Sequence, residues 1–383
     1  MHLKTKNVNT AFADLVKSFC DSEEVEETET RNGKVKVFSE PVTITFENPT
    51  ERVLFNRARD ANPFFHVFES LWMLAGRNDL KPLLKYVSTF GDFSDDGETL
   101  NGAYGYRWRQ ANASENHPEG SWQGDQLNIL VSHLKKNPTS RRAVLQMWNV
   151  EDDLLNVDSS KDVCCNLSAC FSIRVTGEVC SRCGKETDPE LGIPNHTSTC
   201  NLSKGKPVKT PIKYLDMTVF NRSNDMVWGT CGANAVHFSF LQEYMAKRLG
   251  VRVGKYHQVS NNLHVYTETN SGWTPDKWLD YADEYSYEQD VKIQVPLVDD
   301  PETFDREVQK FIDYGDSSRS WKEPFLHKVA APMVWAFEHH KRRSYSDALT
   351  ACIVIKDDAW RLAATNWILK RQENWKKKNE SNS

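Results

Sequence analysis

Two stretches, residues 170–175 and 215–220, alternate apolar and polar side chains with period two. That is the pattern of strands burying one face of an antiparallel pairing. A third strand is predicted over 141–149. No helix follows each strand in turn, as a doubly wound sheet would require. Instead one long, largely apolar helix is predicted over 234–249, closed by Gly250. This order predicts an α+β fold rather than a doubly wound sheet.

Further helices are signalled by their ends. Asn62-Pro63 supplies an N-cap and a first-turn proline, and Gly76 a stop. Between them Phe65, Phe68, Glu69, Trp72 and Met73 share one face, so a carboxylate sits on an apolar stripe. Its cost is relieved only by pairing. Residues 126–136 read as a second helix, ended by Asn137-Pro138. Residues 1–34 are polar, with an acidic stretch over 22–29, and are expected to be a solvated lead-in. A main domain is expected over 35–318, and an aromatic-rich helical extension over 319–383 whose basic end, 376–383, should fray.

The 48 Lys and Arg against 53 Asp and Glu give a net charge of -5, which argues against a nucleic-acid partner. No uncharged apolar run of about 18 residues occurs, so no membrane span is expected. The first residues lack the apolar core of a signal peptide. Nine cysteines is an odd count, expected to be reduced thiols of a cytoplasmic protein.

Residues 180–213 interrupt the strand pattern. Cys180 and Cys183 form one close pair, and His196 and Cys200, twelve residues on, form another. Four such ligands close a tetrahedral shell, so a structural zinc is expected, holding an insertion too rich in Gly and Pro to build its own core. The segment between the pairs lacks a basic recognition helix, unlike a nucleic-acid-reading finger.

Cys165 follows Cys164 just before a strand, while Arg141, Arg142, Arg222, Ser223, His264 and Tyr266 are groups suited to a phosphate and a sugar hydroxyl. A thiolate beside guanidinium groups is a nucleophile. An arginine salt-bridge network is the alternative.

Six motifs in order over about residues 50–270 resemble thymidylate synthase. Phe68-Glu69-Ser70-Leu71-Trp72-Met73-Leu74-Ala75-Gly76 is similar to its His-Glu-Leu-Leu-Trp-Phe-Leu-x-Gly helix, and Tyr104-Gly105-Tyr106-Arg107-Trp108-Arg109 to its Tyr-Gly-x-x-Trp-Arg. Ser140-Arg141-Arg142 resembles its Ser-Arg-Arg strand, and Cys165 stands at its nucleophile. Asn221-Arg222-Ser223-Asn224-Asp225 with Gly229, and then His264-Val265-Tyr266, complete the series. The resemblance implies a large mixed sheet with surrounding helices in a homodimer with shared sites, a pyrimidine nucleoside 5′-monophosphate as substrate and 5,10-methylenetetrahydrofolate as one-carbon donor. It implies that Cys165 adds to C6 of the base, that Glu69 moves protons at the C4 carbonyl, and that Tyr104 helps the proton leave C5. It further implies that Arg222 and Ser223 bind phosphate with the partner's Arg141 and Arg142, that His264 and Tyr266 hold the 3′-hydroxyl, and that Asp225 and Gly229 meet the folate. Arg31 is the one candidate for the N-terminal phosphate loop, and Asn221 belongs to the same substrate-binding set.

Departures from the pattern bear on the product. The family's Trp near the transferred carbon corresponds to Phe90, its apolar residue three before the nucleophile to Asp162, and its following histidine to Asn166. No short apolar closing tail is recognisable. Each change admits water, so hydroxymethylation is favoured over methylation, as in the nucleotide hydroxymethylases that phages use to modify DNA. Asn234 resembles the uracil-reading asparagine, but nine positions separate it from Asp225 where the family has eight. Either residues 230–232 absorb the extra residue, or Ala233 takes the reading position; an N-cap role for Asn234 is the structural alternative. Methylation, a cytidine nucleotide, and a degenerate binder using its zinc insert remain the competing readings.

Overall fold

The two alternating stretches are the middles of the longest strands. In the computed structural model, which describes residues 1–110, 124–180, 186–187, 209–268, 273–282, 284–291, 294–314 and 319–380, eleven strands are described. They are β1 (His2–Thr5), β2 (Val25–Thr30), β3 (Gly33–Phe38), β4 (Val42–Phe46), β5 (Val144–Gln146), β6 (Asn166–Cys180), β7 (Glu186–Thr187), β8 (Lys209–Asn221), β9 (Asn224–Asp225), β10 (Arg252–Ser260) and β11 (Leu263–Tyr266). The helices are α1 (Val8–Asp21), α2 (Pro63–Leu74), α3 (Lys81–Leu84), α4 (Tyr104–Arg109), α5 (Gln126–Lys136), α6 (Asn234–Leu249), α7 (Pro275–Asp280), α8 (Pro301–Tyr314), α9 (Ala331–Lys341), α10 (Tyr345–Ile353) and α11 (Asp358–Glu380).

The large sheet runs β1-β4-β10-β8-β6-β5, with β7 on β6; the smaller runs β2-β3-β11-β9. β6 and β8 pair antiparallel, Cys170 opposite Thr218, while β10 pairs parallel to β8 and antiparallel to β4. The sheet is mixed, as the resemblance implies. The register between β6 and β8 shifts between Asn166 and Ser168, at the point where the chain arrives from Cys165. Such a bulge re-aims the residues at a strand end.

Helix α6 is buried on nearly every side, with Phe238, Phe240, Leu241 and Tyr244 in the core. Each such side chain contributes about 1.5–3 kcal/mol when fully buried. That makes α6 the fixed axis of the molecule. Helix α2 packs on it, capped as expected by the Asn62 side chain, which accepts from the Phe65 amide at 3.2 Å. Gly105, in α4, lets α4 cross α2 closely: a Cβ there would lie 2.0 Å from the Met73 carbonyl oxygen.

Three expectations are corrected. Residues 1–34 are not a solvated lead-in: α1 buries Val8, Ala11, Phe12, Leu15, Val16 and Phe19, and β1 joins the large sheet. The acidic stretch belongs to β2, an exposed edge strand, which is why composition alone reads as solvated. The strand expected over 141–149 is confined to β5 (Val144–Gln146). The C-terminal extension packs into the core through Phe337, Trp360 and Trp367, in keeping with its aromatic content, but its basic end continues α11 to Glu380 rather than fraying from 376. Among the described residues no helix is long and apolar enough to cross a membrane.

Cys180 ends β6, buried. Cys183, His196 and Cys200 lie outside the described residues, and among the described residues no cluster of three or more His, Cys, Asp or Glu is placed to hold a metal.

Candidate active site

The nucleophile loop, 163–165, is held from both sides. The Arg222 side chain donates from Nε to the Cys164 carbonyl at 2.8 Å and from a terminal nitrogen to the Val163 carbonyl at 3.0 Å. The same nitrogen lies 3.7 Å from the Cys165 Sγ. Behind the loop, the fully buried Asp153 accepts from the Cys164 amide at 3.1 Å and the Asn149 amide at 2.8 Å, and forms a two-pronged ion pair with Arg107. Burial pushes the Cys165 thiol up; Arg222 opposes that rise, while Asp162 and Asp153 add to it. The arginine therefore limits the cost of ionising a buried thiol rather than leaving it ionised at rest.

Cys165 opens onto a cavity of about 610 Å³. Of the residues singled out in the sequence, Arg31, Tyr104, Ser223, Asp225 and Gly229 line it, as do Asn234, His264 and Tyr266 with Arg222. Cys165 donates its backbone N–H to the Tyr104 hydroxyl at 3.3 Å. His264 sits beside Tyr266, its ring centroid 5.2 Å away, with Nδ1 2.9 Å from the Asn262 side-chain oxygen. Asp225 accepts from the Trp228 amide through one oxygen, while the other is buried with no hydrogen-bond partner among the described residues. Burial raises its carboxyl.

Other expected residues stand elsewhere. Phe90 packs on Phe65, ring centroids 5.1 Å apart, and it is Phe93, one turn on, that reaches the cavity. Asn221 is buried, donating to the Val259 carbonyl at 3.2 Å and accepting from Asn166, so it supports the wall rather than lining it. Arg141 and Arg142 are exposed before β5 and line no part of this cavity. Glu69 is also behind the wall. It is buried, and its carboxylate oxygen lies 3.0 Å from the buried His237 Nε2.

Sequence reasoning missed His237. The signal was available: His237 follows Asn234 by three positions on α6, one turn behind a cavity residue. It missed Asp153 and Arg107 as well, because an acidic loop reads as solvated until its one buried carboxylate is seen. The positions between Asp225 and Asn234 form a π-helical segment, Met226–Ala233, with Gly232 off helical geometry. A π-turn takes up one residue more than an α-turn. The structure thus brings Asn234 to the cavity with helical backbone angles, and Ala233 precedes it as the helix cap, so the N-cap alternative does not hold.

The arrangement is a thiol beside a guanidinium, a phenol, an amide and an unpartnered carboxylate around a nucleotide-sized space. Residues 10–275 match the family model described as thymidylate synthase. A deoxyuridylate hydroxymethyltransferase of Pseudomonas phage M6 is 37% identical over 383 aligned residues, covering 97% of this chain and 94% of that protein. Another, of Bacillus phage SP01, is 40% identical over 228 residues, 60% of this chain and 50% of that protein. A thymidylate synthase of Brachyspira hyodysenteriae is 26% identical over 196 residues, 49% of this chain and 67% of that protein.

Proposed function

The chain belongs to the thymidylate synthase family, and on that premise we propose that it hydroxymethylates C5 of deoxyuridine 5′-monophosphate. The observation that carries the reading is the Cys165 thiol, 3.7 Å from the Arg222 guanidinium, opening onto a cavity whose wall beside it is polar.

Cys165 bonds to C6 of the base, and the displaced electron pair moves toward C5 and the C4 carbonyl. Arg222 meets the phosphate and lowers the cost of the thiolate. Asn234 faces the base edge, and His264 and Tyr266 the 3′-hydroxyl. Tyr104 assists loss of the C5 proton. Glu69, paired with His237, moves protons on the carbonyl side through water, since neither residue lines the cavity. The unpartnered Asp225 oxygen suits an N–H donor of a pterin, so the residues present fit a folate cosubstrate. When bound, 5,10-methylenetetrahydrofolate supplies the one-carbon unit. The polar wall of Ser160, Lys161 and Asp162 then favours water over hydride as the final nucleophile. Arg31 lines the cavity and adds a cation for the phosphate. Arg141 and Arg142, exposed beside the half-exposed Val144 and Phe220, would serve a second copy's site across the outer face of β5, β6 and β8 in a homodimer. Cys180, Cys183, His196 and Cys200 would hold a structural zinc, and elemental analysis of the purified chain giving no zinc refutes that assignment.

Incubation with deoxyuridylate and methylenetetrahydrofolate tests the main reading. A product heavier than substrate by a hydroxymethyl group, with tetrahydrofolate released, is expected. Dihydrofolate appearing in step with a methylated product would establish methylation instead, and faster turnover of a cytidine nucleotide would overturn the base assignment.

A further inference from the structure

We propose that Asn224 and Gln258 set the preference for uracil by fixing which end of the Asn234 amide faces the base. The inference rests on the substrate reading above and concerns how that substrate is told from a cytidine nucleotide.

The orientation begins at a backbone carbonyl. Gln258, fully buried on β10, donates from Nε2 to the Thr230 carbonyl oxygen at 3.1 Å. A carbonyl only accepts, so that end of the glutamine is its nitrogen and Oε1 faces the other way. Gln258 Oε1 accepts from Asn224 Nδ2 at 3.0 Å, and Asn224 Nδ2 donates its second hydrogen to Ser260 Oγ at 3.0 Å. Both hydrogens of Asn224 are committed, which leaves its Oδ1 to accept from Asn234 Nδ2 at 3.0 Å. Asn234 then has one N–H and its Oδ1 left, and among the described residues neither has a hydrogen-bond partner.

An acceptor beside a donor complements the N3–H and O4 of uracil. Cytosine presents a bare N3 and an amino group, which would set acceptor against acceptor and donor against donor. To read cytosine, Asn234 must turn over, placing its Oδ1 against Asn224 Oδ1. Relieving that clash requires Asn224 to turn, then Gln258, and the last turn sets Gln258 Oε1 against the Thr230 carbonyl. The chain therefore ends on a group that cannot reverse.

Two further features support the relay. Thr230 lies in the π-helical segment that leads into Asn234, so the backbone that places Asn234 also supplies the anchoring carbonyl. Gly229 leaves the room it needs: a Cβ there would lie 2.4 Å from Asn224 Oδ1 and 3.4 Å from Asn234 Nδ2.

Equilibrium binding of deoxyuridylate and deoxycytidylate to the full chain tests this without requiring turnover, with thermal unfolding run alongside. Gln258→Leu and Asn224→Leu should each cut the ratio of affinities, uridine over cytidine, about tenfold. Asn224→Asp, which still offers an acceptor to Asn234, should retain most of the preference. A role in folding alone would weaken both ligands together and leave the ratio unchanged. A wild-type preference for deoxyuridylate that both leucine variants leave intact overturns the relay alone. A wild-type preference for deoxycytidylate overturns the base assignment, and the polarity of the relay with it.

Discussion

Replacing Asp153 by Asn should separate stability from catalysis in the loop that carries Cys165. Asp153 is fully buried and its partner Arg107 is 3% exposed. The substitution leaves a buried guanidinium without its counter-charge, which costs about 3–5 kcal/mol in comparable sites. Arg107 keeps the Met147 carbonyl at 2.8 Å and the Asn101 carbonyl at 2.9 Å, which places the expected loss toward the lower end of that range. An amide also has one acceptor oxygen where the carboxylate has two, so either the Cys164 or the Asn149 amide loses its acceptor, at about 1–3 kcal/mol. Against a typical total of about 5–15 kcal/mol the variant should still fold. The decisive comparison is the double variant Arg107→Met with Asp153→Leu. Removing both charges should restore, in urea unfolding, the part of the stability owed to the unpaired guanidinium, because no ion is left unpaired, while the Cys164 and Asn149 amides both stay without an acceptor. It does not restore an acceptor for the Cys164 amide, so kcat/KM should stay depressed by about tenfold or more. If Asp153→Asn unfolds within about 1 kcal/mol of wild type, or if the double variant regains rate together with stability, the positioning role is wrong.

The thiol gives a pH prediction. Its ionisation is pushed up by burial, so the reactive thiolate should be scarce at neutral pH. Iodoacetamide inactivation should therefore keep accelerating above pH 8, and a plateau reached by pH 7 would contradict this. His66 is pushed down to about 3 by burial and by the neighbouring Arg59 and His237. Its folded form takes a proton less readily than its unfolded form, so stability should fall as pH drops from about 6.5 toward 3. His66→Gln should flatten that part of the urea-midpoint profile; an unchanged slope would refute the assignment. Asp162 lines the cavity and clamps the Gly102 amide at 2.7 Å through one oxygen. Asp162→Leu should shift product from hydroxymethyl toward methyl, read by mass and dihydrofolate absorbance, whereas Asp162→Asn, which keeps an acceptor for the clamp, should shift it less. Identical product ratios in wild type and Asp162→Leu would show that this wall does not govern water.

Much of the scaffold was legible because its signals are local. The cap at Asn62, the stop at Gly250 and the alternation in β6 and β8 each depend on neighbours within one turn or one strand. The N-terminal segment was misread for the opposite reason. The apolar stripe of α1, Val8 to Phe19, is ordinary helical spacing, but the acidic edge strand after it dominates the composition. Strand β2 pairs along one edge only and leaves nearly all its side chains exposed on both faces, so charge density there carries no information about whether the chain is folded.

The site divides along the same line. Residues that touch the cavity, such as Cys165, Arg222, Asp225 and Asn234, belong to motifs and can be picked out one by one. Residues that act on those residues cannot, because their roles exist only across strands and helices distant in sequence. Glu69 shows the difference well. The sequence places a carboxylate on an apolar stripe and demands a partner, yet the position after Cys165, where the family has a histidine, is Asn166. Asn166 instead donates to Asn221 and leaves its own Oδ1 buried and unpartnered at the cavity wall. The histidine that meets Glu69 is His237, from α6 rather than from the nucleophile strand. The change moves the imidazole from beside the thiol to behind the carboxylate. It leaves at the cavity wall a short amide whose own oxygen is buried rather than open to the space beside Cys165. Where the resemblance implies an imidazole and an apolar side chain, the wall beside Cys165 carries Asn166 and Asp162, and the Asp162 carboxylate is the acceptor that the cavity offers to water.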